Sequence, residues 1–291
     1  MKKLYIISNV EELKKKVLQF KISKKAVGYV PTLGGLHIGH LKLIRLAKKN
    51  SDIVIVSIFL NPLQFESKKN FQSYPINILK DKKKIMSENI DILYTPSINE
   101  VFPEKKIKKI KSSNISKKLC GKFRNGHFDG VVTVLKRMFK HVSPDLTFFG
   151  EKDFQQIKVI QNLIDKYKIK IKIITLPTVR DKQGLALSSR NILLNKKQKI
   201  IARHLFKTIK IISKKAIKNP EKINELKSWG KKRLLDYGFD FVDYIEIYNE
   251  NNLSTLNISS KNLRVFVAAT LGKVRLIDNY HSYWNYLKKI F

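Results

Sequence analysis

The chain has 291 residues, with 59 Lys plus Arg against 23 Asp plus Glu, a formal net charge of +36 at pH 7, and 43% hydrophobic residues. That is enough apolar sequence for a sizeable core in one large or two modest domains, and no apolar run reaches the roughly 18 residues of a membrane span. A single cysteine, Cys120, excludes an internal disulfide and a cysteine-rich zinc site. The opening MKKLYIISNVEELKKKV lacks the unbroken apolar stretch of a secretory signal, so a reduced, soluble, cytoplasmic protein is expected.

Ala26–Pro31 reads as a short apolar strand ending in a Gly-rich turn, Thr32–Gly39. A helix follows, with Leu41, Ile44 and Ala47 spaced for one buried face. Asp52–Leu60 is nearly continuous β-branched and apolar sequence, as expected of a strand covered on both faces in a parallel sheet. Ile90–Thr95 and Asp145–Phe149 read as further strands, the second preceded by Val131, Val134, Leu135, Met138, Phe139 and Val142 at helical spacing. Phe154–Tyr167 suits a helix and Ile169–Leu176 a strand. Strand, crossover helix and strand repeated in this way predict an α/β, Rossmann-like doubly wound parallel sheet.

Beyond about Asp181 the texture changes. Lys196–Lys218 predicts a long amphipathic helix with Ile200, Ile201, Leu205, Ile209 and Ile212 inward; Asn219-Pro220 breaks it, and Glu221–Tyr237 predicts another. Three strand-like runs follow, Phe241–Tyr248, Leu263–Ala269 and Val274–Asp278. The expected division is a Rossmann-like domain over 1–182 and a smaller C-terminal α+β domain over 183–291. Glu104–Lys111 reads as a solvated loop or edge strand.

The positive charge does not by itself define a nucleic-acid binder. Only nine of the basic residues are Arg, and Lys is spread from Lys2 to Lys289, which fits compositional drift better than a phosphate-binding face. Its physical consequences are attraction of anionic substrates and weak, salt-sensitive adhesion to nucleic acid. Tyr74, Tyr94, Trp229 and Trp284 are scattered and make no stacking stripe.

Four segments carry chemistry, all at predicted strand ends or the domain junction. The sharpest is Pro31-Thr32-Leu33-Gly34-Gly35-Leu36-His37-Ile38-Gly39-His40. Open α/β sheets bind ligands beyond the carboxyl ends of their strands, and glycines with a helix N-terminus offer close approach and free N–H groups to a phosphate. Two histidines bracketing a glycine there can stabilise charge developing on an α-phosphate and a leaving pyrophosphate. The second segment, Ser188-Ser189-Arg190-Asn191, follows Val179-Arg180-Asp181; hydroxyls beside a guanidinium fit phosphate recognition, and equally fit a helix cap. The third, Gly150-Glu151-Lys152-Asp153-Phe154-Gln155-Gln156, offers a lysine to phosphate and an aspartate to a helix cap or a metal-bound water. The fourth, Asn61-Pro62-Leu63-Gln64-Phe65, offers the Gln64 amide to a small polar ligand.

At these residues the chain resembles the pantothenate synthetase (pantoate–β-alanine ligase) family, within the nucleotidylyltransferases that carry the HxGH signature. HxGH specifies the superfamily alone; SIFLNPLQF, GHFDGV at Gly126–Val131, FFGEKDFQQ at Phe148–Gln156 and GLALSSRN at Gly184–Asn191, in this order, specify the family. The resemblance implies ATP-dependent joining of pantoate to β-alanine through an enzyme-bound pantoyl adenylate, with Mg²⁺ on the phosphates and no protein nucleophile. It implies an ATP site at Leu33, Gly34, Gly35, Leu36, His37, Ile38, Gly39, His40, Gly150, Glu151, Lys152, Asp153, Val179, Leu187, Ser188, Ser189 and Arg190, with His40 catalytic. It implies pantoate at Gln64 and Gln156, β-alanine at Gln64, a C-terminal lid over a water-labile intermediate, and a homodimer, with no specific nucleic acid and no membrane as partner. Arg124 and His127 match a neighbouring basic pair of the family, His127 being equally readable as a helix-start residue. The metal ligands are not specified. Leu33 and Leu187 stand where the family usually has Met, Gly35 where it has Ala, Asn125 where Pro is common and Ile76 where Arg is common; Met-to-Leu changes nearly conserve volume.

Two other classes fit parts of the pattern. His37–His40 spells the HIGH of class I aminoacyl-tRNA synthetases, but NPLQF and GEKDFQQ have no role there. A basic, non-enzymatic nucleic-acid binder would interleave aromatics with Arg on a sheet face.

Overall fold

The computed structural model describes residues 4–255 and 262–281; Trp284 lies outside the described residues. Contacts divide the chain into two units. The first comprises residues up to Ser116, Arg124–Glu151 and Gln156–Thr178, and the second comprises Lys117–Phe123, Lys152–Gln155 and the residues from Val179 on.

In the first unit, six strands form one parallel sheet: β1 (Tyr5–Ile7), β2 (Val27–Thr32), β3 (Ile53–Ile58), β4 (Ile92–Tyr94), β5 (Leu146–Gly150) and β6 (Lys172–Leu176), in the order β1-β4-β3-β2-β5-β6. Every residue of β3 is buried, the outcome of covering both faces of a central strand with helices. The helix His127–Val142 buries all six of its expected apolar positions, and the helix Ile38–Asn50 buries Leu43, Ile44 and Ala47, with Leu41 only half-buried. From β2 the chain builds β3 and β4 to one side, then returns to lay β5 against β2 and β6 beyond it, with Tyr29 opposite Thr147. The order therefore reverses between β2 and β5, and the carboxyl ends of those two strands form the crevice where such sheets take ligands.

In the second unit, helices Lys196–Lys218 and Ile223–Asp236 pack on an antiparallel sheet of β7 (Phe241–Asn249), β8 (Leu263–Leu271) and β9 (Val274–His281). A reciprocal cap starts the long helix: Gln198 N–H donates to Asn195 Oδ1, and Asn195 N–H to Gln198 Oε1. Its inward stripe is Ala202, Leu205, Ile209, Ile212 and Ala216. Ile200, expected inward, is 56% exposed, because at 100° per residue it falls well away from the line through Leu205 and Ile212. Residues 104–111 form no strand; Ile110 N–H donates to Thr133 Oγ1 and Lys111 pairs with Asp129.

Candidate active site

The turn after β2 is built by hydrogen bonds to its own main chain. Thr32 Oγ1 donates to the Ser57 carbonyl of β3 (2.7 Å) and accepts the Gly34 N–H (3.3 Å). Gly34 and Gly35 follow at φ +86° and +65°, a left-handed pair that favours glycine. A Cβ on Gly34 would also stand 2.6 Å from Ile76 Cδ1, so Ile76 closes over this glycine. Asp81, on the helix Ile78–Met86 and only 2% exposed, accepts the N–H groups of Gly35 (2.7 Å) and Leu36 (2.8 Å), while Lys84 Nζ donates to the Leu36 carbonyl.

The two histidines cap the helix that follows. Gly39 N–H donates to His37 Nδ1 (3.1 Å) and His37 N–H donates to His40 Nδ1 (3.2 Å), with the ring centroids 4.1 Å apart. A nitrogen that accepts an N–H carries no proton, so each ring holds its proton on Nε2. The N–H groups of Gly34, Gly35, Leu36, His37 and Gly39 are thus already engaged, against the expectation of main-chain donors free for a phosphate. What the turn fixes is the orientation and tautomer of the two imidazoles.

After β3, Asn61 organises the next turn. Its Oδ1 accepts the Leu63 N–H, and its Nδ2 donates to Gln64 Oε1 and to the Gly130 carbonyl, each at 3.1 Å. Gly130 lets the helix His127–Val142 touch this turn: a Cβ there would lie 2.1 Å from the Leu63 carbonyl oxygen. Gln64 is itself buried. Arg124 donates through NH1 to His127 Nε2 (3.0 Å), which puts the His127 proton on Nδ1, and that N–H donates to the Gln64 carbonyl (2.8 Å). Arg124 also pairs with Glu66 (2.9 Å). His127 is the first residue of its helix and at the same time a clamp on the Gln64 main chain.

At the end of β5, Gly150 is followed by a single turn, Glu151–Asp153, and the helix Phe154–Lys166, which carries Gln156 half-buried. Glu151 accepts from Thr175 Oγ1 on β6, the Lys152 carbonyl accepts from Asn279, and Asp153 is exposed. In the second unit, the Leu187 N–H donates to the Val179 carbonyl, and Arg180 and Ala186 pair across a short hairpin. Ser188 Oγ accepts the Arg190 N–H, so it does act as a cap; Ser189 is buried, and Asn191 Nδ2 donates back to the Ala186 carbonyl.

The expected residues thus fall in two groups. Leu33, Gly34, Gly35, Leu36, His37, Ile38, Gly39, His40, Gln64, Gly150, Glu151 and Gln156 belong to the first unit; Lys152, Asp153, Val179, Leu187, Ser188, Ser189 and Arg190 belong to the second. Asp81, Arg264, Asp278 and Asn279 hold these segments in shape and were not anticipated from sequence, and Asn61 and Gly130 stood in the NPLQF and GHFDGV motifs without an assigned role. Asp81 is the one acid in a lysine-rich stretch, ILKDKKK, and Arg264 breaks the apolar start of β8, while Asp278 and Asn279 stand in a strand that also carries Arg275 and His281. Those irregularities were the available signal.

A parallel sheet with an HxGH turn after its strand β2, both imidazoles oriented by main-chain donors, defines an α/β protein of Rossmann-like class. The sequence model of the pantoate-beta-alanine ligase family matches residues 5–281. Pantothenate synthetase of Buchnera aphidicola subsp. Acyrthosiphon pisum (strain 5A) is 42% identical over 286 residues, covering 97% of this chain and all of that protein. The Thermotoga petrophila pantothenate synthetase is 36% identical over 274 residues, with 94% and 98% covered. Among solved structures, pantothenate synthetase from Thermus thermophilus superposes with a TM-score of 0.87 at 31% identity, over 95% of this chain and 98% of that one. Pantoate-beta-alanine ligase from Francisella tularensis, complexed with beta-gamma ATP and beta-alanine, gives a TM-score of 0.80 at 34% identity, over 96% and 98%. The chain belongs to the pantoate–β-alanine ligase family and is a ligase.

Proposed function

We propose that the ends of β2, β3 and β5, with the 179–190 hairpin, carry the chemistry of this ligase, which condenses pantoate with β-alanine in an ATP-dependent reaction to give pantothenate, AMP and pyrophosphate. The observation that carries the assignment is the pinning of Nδ1 on both His37 and His40, which commits both Nε2–H groups as donors. In the first step a pantoate carboxylate oxygen attacks the α-phosphorus of ATP; the bond to the bridging oxygen breaks and pyrophosphate leaves. His40, with His37 beside it, stabilises the charge that builds on those oxygens. In the second step the β-alanine amine attacks the acyl carbon of the pantoyl adenylate and AMP leaves.

Neither step uses a protein nucleophile, so positioning and charge neutralisation supply the acceleration. We assign Gln64 and Gln156 to pantoate, and Gln64 also to β-alanine. Leu33 to His40, Gly150 to Asp153, Val179 and Leu187 to Arg190 are assigned to ATP, with Lys152 and Arg190 on the phosphates. We assign Mg²⁺ to the nucleotide phosphates; the nearby Asp81 already serves two main-chain N–H groups. Bound on the triphosphate, it would supply neutralising charge. The division into 1–182 and 183–291, a homodimer and a cytoplasmic location complete this reading. Among the described residues no helix is long and apolar enough to cross a membrane.

The test is pyrophosphate release from the purified protein with ATP and Mg²⁺, adding pantoate and β-alanine separately and together. Free AMP and pantothenate only when both are present is the expected result. Turnover that requires an amino acid and tRNA would transfer the assignment to the aminoacyl-tRNA synthetases.

A further inference from the structure

Strands β8 and β9 bury three polar or charged side chains, Arg264, Asp278 and Asn279, each only 3% exposed. Polar and charged groups buried this deeply are costly unless they are paired. Asp278 takes the Arg180 guanidinium two-pronged, at 2.5 and 2.8 Å. The same guanidinium donates to the Gly184 carbonyl (3.0 Å) and the Asn279 carbonyl (3.2 Å) and lies 3.6 Å from the centroid of the Phe206 ring. Arg264 donates through NH1 to Asn279 Oδ1 (2.5 Å) and through NH2 to Glu250 (2.9 Å), and lies over the Phe154 ring at 3.9 Å. Asn279 then uses its remaining function: Nδ2 donates to the Lys152 carbonyl at 3.0 Å.

Two adjacent residues of β9 therefore reach two distant segments of the chain. Asp278, through Arg180, grips the hairpin at Gly184, which leads through the Leu187–Val179 hydrogen bond into Leu187–Arg190. Asn279 grips the main chain of Lys152. The chemistry at 279 needs a carboxamide, since the side chain must accept from a guanidinium and donate to a carbonyl at once. A carboxylate could keep the first contact only, and would set a negative oxygen against the carbonyl.

We propose that Asn279 is a positioning residue for the nucleotide, setting the path of the Lys152 main chain while Asp278 sets the hairpin that carries Ser188 to Arg190. The proposal rests on the assignment of Lys152 and Ser188–Arg190 to ATP. Asn279→Asp preserves size and the contact with Arg264 and removes the donor to Lys152. It is expected to raise the KM for ATP by about fivefold or more, with the KM values for pantoate and β-alanine unchanged, in steady-state assays on protein of native circular dichroism. Glu250→Gln perturbs the same network without touching Lys152, and is expected to lower the melting temperature while leaving the KM for ATP at its original value.

A folded Asn279→Asp protein with an unaltered KM for ATP would overturn the positioning role, as would equal rises in all three KM values. Should that variant not fold, Asn279→Ser is read in the same assays by the same criteria. Loss of the original protein's own ATP turnover with pantoate and β-alanine would take down the assignment of the site as well. Normal turnover with an indifferent Asn279→Asp removes the positioning role alone.

Discussion

His37 and His40 cap one another's segment: the His37 N–H donates to His40 Nδ1 at 3.2 Å, and the His37 ring in turn accepts the Gly39 N–H. His40 therefore has a structural task at Nδ1 and a chemical one at Nε2, and a substitution can separate them. Glutamine is a natural partner at the third position of a helix cap and can accept the His37 N–H through Oε1. His40→Gln is expected to melt within a few degrees of the original protein and to lose on the order of 100- to 1,000-fold in kcat for pyrophosphate release. His40→Ala removes the cap too and is expected to lose about 1 kcal/mol of stability besides. Full turnover by a folded His40→Gln enzyme would rule out the imidazole as the group that stabilises the leaving phosphate.

Asp81 holds the left-handed Gly34-Gly35 turn from beneath through two main-chain N–H groups. Asparagine in its place would turn an NH₂ toward one of those donors. Leaving a buried donor unmatched costs about 1–3 kcal/mol, so Asp81→Asn is expected to lose that much in urea unfolding. Asp81→Glu, which keeps both acceptors on a longer arm, should recover part of that stability. An Asp81→Asn protein of unchanged urea midpoint would mean that the turn does not depend on this carboxylate.

The elements nearest the site were the most legible in sequence, because their signals are local. β3 is β-branched at every position but Ser57, and the long helix is bounded by Asn195 and the Asn219-Pro220 break; its expected limits, Lys196 and Lys218, are those the structure has. HxGH at the end of β2 pointed to the sheet's switch point before any strand order was known. What sequence did not give are long-range polar contacts. Asp81 reaches back more than forty residues to Gly35, and Asn279 reaches Lys152 from the far end of the chain. Nor did it foretell that 117–123 and 152–155 group with the second unit, since nothing in their composition separates them from their neighbours. The free N–H groups expected of the HxGH turn were a generalisation from phosphate loops; here the side chains of Thr32, Asp81, His37 and His40 take up five of them.

His141 brings a pH dependence unconnected with catalysis. Burial, reinforced by the charges of Lys14, Arg137 and Lys140 against the opposing Glu100, pushes its pKa from 6.5 down to about 4, and its Nδ1 lies 3.0 Å from the Tyr94 hydroxyl. The folded protein thus resists a proton that the unfolded chain accepts. The stability associated with the neutral ring is complete above pH 6.5 and is lost as the pH falls toward about 4. Urea unfolding at about pH 7, 5.5 and 4.5 should show the original protein weakening more steeply over this interval than His141→Gln. Parallel pH profiles for the two proteins would refute the assignment.

Gly130 is the contact through which the helix His127–Val142 meets the Asn61–Gln64 turn, and the contact is main chain against main chain. A methyl group at 130 would lie 2.1 Å from the Leu63 carbonyl oxygen and 2.7 Å from the Gln64 nitrogen, distances that no rotamer change can relieve. The helix and turn would have to separate, stretching the Asn61–Gly130 hydrogen bond and moving the Gln64 carbonyl off His127. Overpacking of this kind costs about 1–3 kcal/mol, and here the displaced group is the one assigned to pantoate. Gly130→Ala, measured below its own melting temperature, is expected to raise the KM for pantoate several-fold while the KM for ATP changes little, because the β2 turn does not share these contacts. Equal rises in both would locate the damage in the sheet as a whole and remove Gln64 as the specific casualty.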